Sequence, residues 1–124
     1  MATDRIQDVV LEWFELWESG DFEALPLSEG FEHTSPYGTI SGKEAYLKVV
    51  RANRNKFLGN RFELHEGMHQ DGVACVRYTM ISFEFSMEVS EWFYMEDDLI
   101  SKIISYYDIG AGSSKGRILE DHTN

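Results

Sequence analysis

Cysteine is almost missing from this chain of 124 residues: Cys75 stands alone. An internal disulfide is thereby excluded, and a reducing compartment, most simply the cytoplasm, is the expectation. A free cysteine of this kind is ordinarily a small buried strand residue rather than a nucleophile. No apolar run approaches the ~18 residues of a membrane helix, so no membrane span is expected. No basic stretch followed by an apolar one opens the chain, and no signal peptide is expected. Bases are scarce, with 11 Lys and Arg against 22 Asp and Glu and a net charge of −11. Such a chain repels phosphates, which argues against a nucleic-acid partner. There is no P-loop, no G-x-G-x-x-G and no G-x-S-x-G elbow, so nothing supports a nucleotide cofactor or a serine hydrolase.

What is present is enough for one domain with a real core: 43% hydrophobic residues, 14% of the chain aromatic. Ile6, Val9, Val10, Trp13 and Trp17 recur on one helical face. Asp4 with Gln7 forms an N-cap pair and Gly20 is a stop. Asp21 caps a short second helix through Leu25. A brief strand holds Phe31 to Ser35, and a Gly-containing loop follows Pro36. Ser41 and Glu44 have capping-box spacing and open a third helix to about Lys56, with Tyr46, Val49 and Val50 on its buried side. From Arg61 the period falls to two. Phe62, Leu64, Glu66 and Met68 share one face, Gln70-Asp-Gly72 is a turn, and a strand runs from Val73 to Ile81. Another spans about Glu88 to Glu96, and the last returns from Ile100 to Asp108. Helices followed by antiparallel strands give an α+β domain over 1–108, with three helices on one face of a curved sheet. Residues 109–124, with Gly110 to Ser114 and scattered charge, read as a flexible tail.

Six of the eleven bases lie between Lys43 and Arg61, where only Glu44 opposes them. This is either a solvated helix face or a patch that steers anionic ligands. His65-x-x-x-His69 suggests a metal pair, but on a strand these positions are ~13 Å apart, too far to share an ion. No metal is expected.

Three segments in order carry a resemblance. They are Glu18-Ser-Gly-Asp-Phe-Glu-Ala-Leu25, then Phe31-Glu-His-Thr-Ser-Pro-Tyr-Gly-Thr-Ile-Ser-Gly42, then Leu99-Ile-Ser-Lys-Ile-Ile-Ser-Tyr-Tyr-Asp108. Over roughly residues 6 to 108 the chain resembles the nuclear-transport-factor-2-like superfamily, in its SnoaL-like polyketide cyclase and ketosteroid isomerase branch. That resemblance implies a cone-shaped, mostly antiparallel sheet packed on three N-terminal helices around a pocket, a cystatin-like α+β barrel. It also implies homodimers, consistent with late strands that are apolar or aromatic on both faces.

In ketosteroid isomerases a helix Tyr and a protonated Asp form an oxyanion hole, while a second Asp shuttles the proton. Matching segments places Trp13 at the Tyr, His33 at the shuttling Asp and Glu91 at the oxyanion Asp. His33 titrates near neutrality and can act as a base. Equally, a lone histidine of this kind can be a core residue bonded to backbone. Glu91 either stays protonated and donates to an oxyanion, or ionises and orients His33. Trp13, Phe31, Tyr37, Phe93, Ser105 and Tyr107 would shape the pocket. Epoxide hydrolases of the superfamily carry a catalytic Asp on the last strand, where this chain has Ser105; Asp108 lies on the opposite face and reads as structural. The resulting expectation is cofactor-free proton transfer beside the carbonyl of a small apolar molecule. The alternative is a non-catalytic ligand-binding or dimerisation module of the same fold.

Overall fold

The structure of the chain, a computed structural model, describes residues 5–109. The first helix, α1 (Arg5–Ser19), buries Ile6, Val9, Val10, Trp13, Phe14 and Trp17 along one side. Gly20, at φ +88°, ends it, and its N–H donates back to the Leu16 carbonyl at 2.9 Å. The short second helix is a single 3₁₀ turn, Phe22–Ala24, whose cap Asp21 makes no side-chain bond to the turn. The proposed Asp4 cap lies outside the described residues, as does most of the 109–124 segment.

Strand β1 (Leu27–Ser35) is longer than the sequence suggests, and the expected loop after it is a hairpin into β2 (Gly38–Ser41). His33 pairs with Ile40 in that hairpin. Ser41 is therefore a strand residue and does not form a capping box. Gly42, at φ +101°, holds the cap position of α2 (Lys43–Ala52), with no side-chain cap bond. Its N–H donates to the Phe31 carbonyl at 2.6 Å, which ties the helix start to β1. The third expected helix also divides. Asn53, buried, donates from its side chain to the Val49 carbonyl at 2.7 Å, and α3 (Arg54–Phe57) starts beyond it.

Strands β3 (Arg61–Gln70), β4 (Val73–Ile81), β5 (Ser86–Glu96) and β6 (Leu99–Tyr106) complete one sheet ordered β2-β1-β6-β5-β4-β3. All pairings are antiparallel except β1 with β6. The sheet is curved and open, with β2 and β3 as its edges, so it is not a closed barrel. A bulge at His65 separates Leu64, opposite Tyr78, from Glu66, opposite Arg77. An extra residue reverses strand parity. Glu66 and Met68 consequently lie on the face opposite to Phe62 and Leu64, not with them as simple alternation suggests. The turn into β5 has its own device: the Ser82 hydroxyl accepts from the Glu84 and Phe85 N–H groups at 3.1 and 3.4 Å.

The helices cover one face of the sheet, and the core lies between. Met87, Val89, Glu91 and Phe93 alternate inward along β5 while Ser86, Glu88 and Trp92 face out. On the uncovered face, the registers set Met68, Cys75, Trp92 and Ile104 side by side across β3, β4, β5 and β6. No helix among the described residues is long and apolar enough to cross a membrane.

Candidate functional site

Glu91 is the charged-type residue that the core holds most tightly, at 4% exposure. Alternation on β5 turns it inward between Val89 and Phe93. A buried carboxyl needs hydrogen-bond partners or a proton. The neighbouring strands supply two hydroxyls. Tyr78 Oη on β4 donates to Glu91 Oε1 at 3.0 Å, and Ser105 Oγ, directly opposite on β6, donates to Oε2.

These donors favour the carboxylate, whereas burial favours the neutral acid. Burial is the larger effect and pushes the Glu91 pKa up to about 7, against the opposing pull of Ser105 and then Tyr78. Burial, reinforced by the Glu91 charge, also holds the Tyr46 and Tyr78 hydroxyls well above the usual tyrosine range. Both therefore remain protonated donors at neutral pH.

This carboxyl opens onto a cavity of about 150 Å³ between the helices and the sheet. His33 reaches the same cavity from β1, its ring stacked on Tyr46 of α2 at 5.1 Å and 25°. Tyr46 in turn meets Phe31 edge-on at 5.1 Å. Tyr37, after β1, and Tyr107, after β6, approach each other at 6.3 Å along the wall. Trp13 and Trp17 of α1 line the helical side, ring centroids 5.7 Å apart. Lys56, Phe57, Asn60, Met80 and Met87 also line the cavity.

Of the residues singled out in the sequence, His33, Glu91, Trp13, Tyr37, Ser105 and Tyr107 all border this cavity. Phe31 and Phe93 do not: both are completely buried behind the wall. They lie on the inward face as alternation requires, but helices cover them. Phe93 packs edge-on against Trp13 at 5.8 Å, and Phe31 lies beneath Tyr46. Tyr78 and Tyr46 were not anticipated as site residues. Tyr78 sits in the inward series with Ala74 and Val76, and Tyr46 shares the buried side of α2 with Val49 and Val50, so the periodicity marks both as inward.

Among the described residues, no three His, Cys, Asp or Glu side chains gather as a metal site. His65 Nε2 instead lies 2.7 Å from the Thr79 hydroxyl, which donates to Glu88 at 3.0 Å.

The fold recurs in solved structures. An NTF2-like protein of unknown function from Cytophaga hutchinsonii superposes with a TM-score of 0.71 at 22% identity, covering 83% of this chain and 89% of that one. A candidate ketosteroid isomerase from Kribbella flavida gives 0.73 at 15% identity, over 86% and 79% of the two chains. An epoxide hydrolase of the LEH-like type from M. tuberculosis gives 0.74 at 16% identity, over 86% and 85%. No curated protein sequence matches significantly. At these identities the structures establish the NTF2-like fold. The SnoaL-like domain matches residues 10–103, most of the length, and the chain belongs to that family.

Proposed function

We propose that this chain is a cofactor-free enzyme of the isomerase or cyclase type, moving a proton beside the carbonyl of a small, largely apolar substrate. The observation that carries the proposal is the Glu91 carboxyl: buried, held by Tyr78 and Ser105, pushed up to about 7 by its burial, and bordering an aromatic cavity that His33 also lines. A carboxyl that burial keeps protonated toward neutral pH can donate a hydrogen bond to a developing oxyanion.

In this reading His33 abstracts the proton next to the substrate carbonyl. The Glu91 carboxyl, in its protonated form, donates to the developing oxyanion. Tyr78 and Ser105 hold the carboxyl in place, and its burial sustains the neutral form. Trp13 offers an indole N–H on the helical side of the cavity. The epoxide-hydrolase reading is weaker, because Ser105 stands where the last strand would have to carry a carboxylate. Small size also matters: an apolar cavity of about 150 Å³ holds a molecule of roughly benzene's dimensions. A larger substrate would have to extend through the opening.

The same reading includes a homodimer formed through the uncovered sheet face. Met68, Trp92 and Tyr106 are exposed there, at 72%, 37% and 59%. Contiguous apolar patches of this kind ordinarily mark an interface.

The test is capture followed by exchange. Native mass spectrometry of the purified protein with metabolite extracts identifies what binds. The captured compound is then incubated in D₂O, and deuterium uptake beside its carbonyl is followed by NMR. Uptake above the buffer rate is expected, with His33→Ala reducing it by about 10²–10⁴-fold. A captured carbonyl compound that exchanges no faster with protein than without would leave only the binding-module reading.

A further inference from the structure

Tyr46 carries a hydroxyl that the packing around it does not use, and its ring lines the cavity. We infer that Tyr46 Oη donates to the acceptor oxygen of the ligand, the carbonyl of a small ketone, enone or ester. This rests on the cavity being the ligand site proposed above, and it adds to Glu91 a second donor, supplied by α2.

The spacing of apolar residues on α2 turns Tyr46 inward, one turn ahead of the buried Val49 and Val50. Its N–H donates to the Gly42 carbonyl at 3.0 Å, and the Gly42 N–H donates to the Phe31 carbonyl at 2.6 Å. The backbone beneath Tyr46 is therefore anchored to β1, the strand that carries His33. Two ring contacts with that strand fix the side chain. Phe31 meets it edge-on at 5.1 Å and 70°, and the His33 ring stacks on it at 5.1 Å and 25°. Oη lies on the ring axis, so fixing the ring fixes its direction.

That direction is into the cavity. Tyr46 is only 3% exposed, yet its hydroxyl makes no hydrogen bond to the described residues. Among those residues, every polar side-chain atom sealed within the packing has a partner. An unbonded phenol in the core would be costly. Tyr46 avoids that cost by opening onto the space that its ring lines. Tyr78 and Ser105 differ in this respect: Tyr78 Oη is committed to Glu91 Oε1 at 3.0 Å, and Ser105 Oγ to Oε2. Those hydroxyls serve the carboxyl, while that of Tyr46 is left for the contents of the cavity.

Burial first, then the neighbouring Glu91 and Tyr107, hold the Tyr46 hydroxyl well above the usual tyrosine range, so it stays a neutral donor. A donor of this kind in an aromatic wall selects a ligand that offers a lone pair. A hydrocarbon of the same shape leaves the hydroxyl unpaired. The stack on His33 adds the chemical consequence. It keeps the donor and the candidate base side by side on one wall, the juxtaposition that removing a proton next to a carbonyl requires.

Cyclohexanone and methylenecyclohexane are matched probes: one ring each, with an exocyclic oxygen in the first and a CH₂ group in the second. Both are titrated by NMR against the wild type and Tyr46→Phe, which keeps the ring stack and removes only the hydroxyl. The readout is the ratio of the two affinities. The preference for cyclohexanone should fall about fivefold in Tyr46→Phe, the weight of one neutral hydrogen bond. An unchanged ratio overturns the inference and leaves the cavity a ligand site with Glu91 and Trp13 as its donors. Thermal unfolding checks that the variant is folded. If it is not, intermolecular NOEs in the wild type decide: contacts between the Tyr46 ring hydrogens and those beside the carbonyl of bound cyclohexanone support the inference, and their absence overturns it. Exchange of those ligand hydrogens in D₂O, followed in the same samples, tests the reaction separately. A ratio that falls without any exchange keeps Tyr46 as the binding donor and ends the proton-transfer reading. If neither probe binds at millimolar concentration, both readings fail.

Discussion

Replacing Glu91 by Gln should make the protein more stable at pH 8 than the wild type, and this is a demanding test of the site. The ordinary carboxyl value of 4.5 is raised to about 7 in the folded chain. A folded state that binds the proton more tightly than the unfolded state gains stability at low pH. That gain is complete below about 4.5 and is lost as pH rises through about 7. The displacement corresponds to about 3 kcal/mol. Gln keeps the shape, accepts from Tyr78 through its carbonyl and can donate to the Ser105 oxygen, but carries no proton to lose. The two proteins should therefore be similar near pH 5, and Glu91→Gln should lead by about 3 kcal/mol at pH 8. Urea unfolding followed by circular dichroism between pH 5 and 8.5 measures this, as a midpoint displacement of about 1.5–2 M. A carboxylate paired with protonated His33 would also give a wild type that weakens as pH rises. There, however, the wild type leads at pH 5 and draws level at pH 8. The difference at pH 8 decides between them, and a variant no more stable than the wild type at that pH refutes the buried-acid argument.

Two further expectations concern the same sheet. Ser105→Ala removes a donor that favours the ionised carboxyl. It should raise the Glu91 pKa further and cost about 1–2 kcal/mol more at pH 8 than at pH 5, in the same unfolding series. On the other face, Trp92→Glu should convert a homodimer into a monomer of half its mass by sedimentation; a wild type already monomeric at micromolar concentration would end the dimer proposal.

The inward positions of β5 were legible because strand alternation is strict there. A single hydrophobic face of Val89 and Phe93 turns Glu91 inward, whatever the register. His33 was legible for a similar reason, being on the Phe31 side of β1 and opposite the exposed Glu32. The partners of Glu91 were not. Tyr78 reaches it only because the β4–β5 register sets Val76 opposite Glu91, and that register depends on a turn held by Ser82 rather than by Gly, Pro or Asn. Periodicity also fails wherever one residue is inserted, as at His65, since everything beyond the bulge changes face. The capping-box pattern at Ser41 and Glu44 is overruled by tertiary structure, because β2 claims Ser41 for a strand. Phe31 and Phe93 show a different limit: facing inward does not decide whether a side chain meets a cavity or a helix.

The parallel pairing of β1 with β6 has a consequence for how the molecule is made. His33 lies beside Ile103, and Glu91 takes its hydroxyl from Ser105. A ribosome delivers β1 early and β6 near the end. Until β6 emerges, β1 and β2 form a hairpin detached from the remaining strands, with Phe31 uncovered by its neighbour. Closing so long a loop is slow compared with forming adjacent hairpins. The site thus comes into being last, in a single step that also seals the core. A nascent chain that stalls before Leu99 has both His33 and Glu91 but not the Ser105 hydroxyl or the strand that brings them to one cavity.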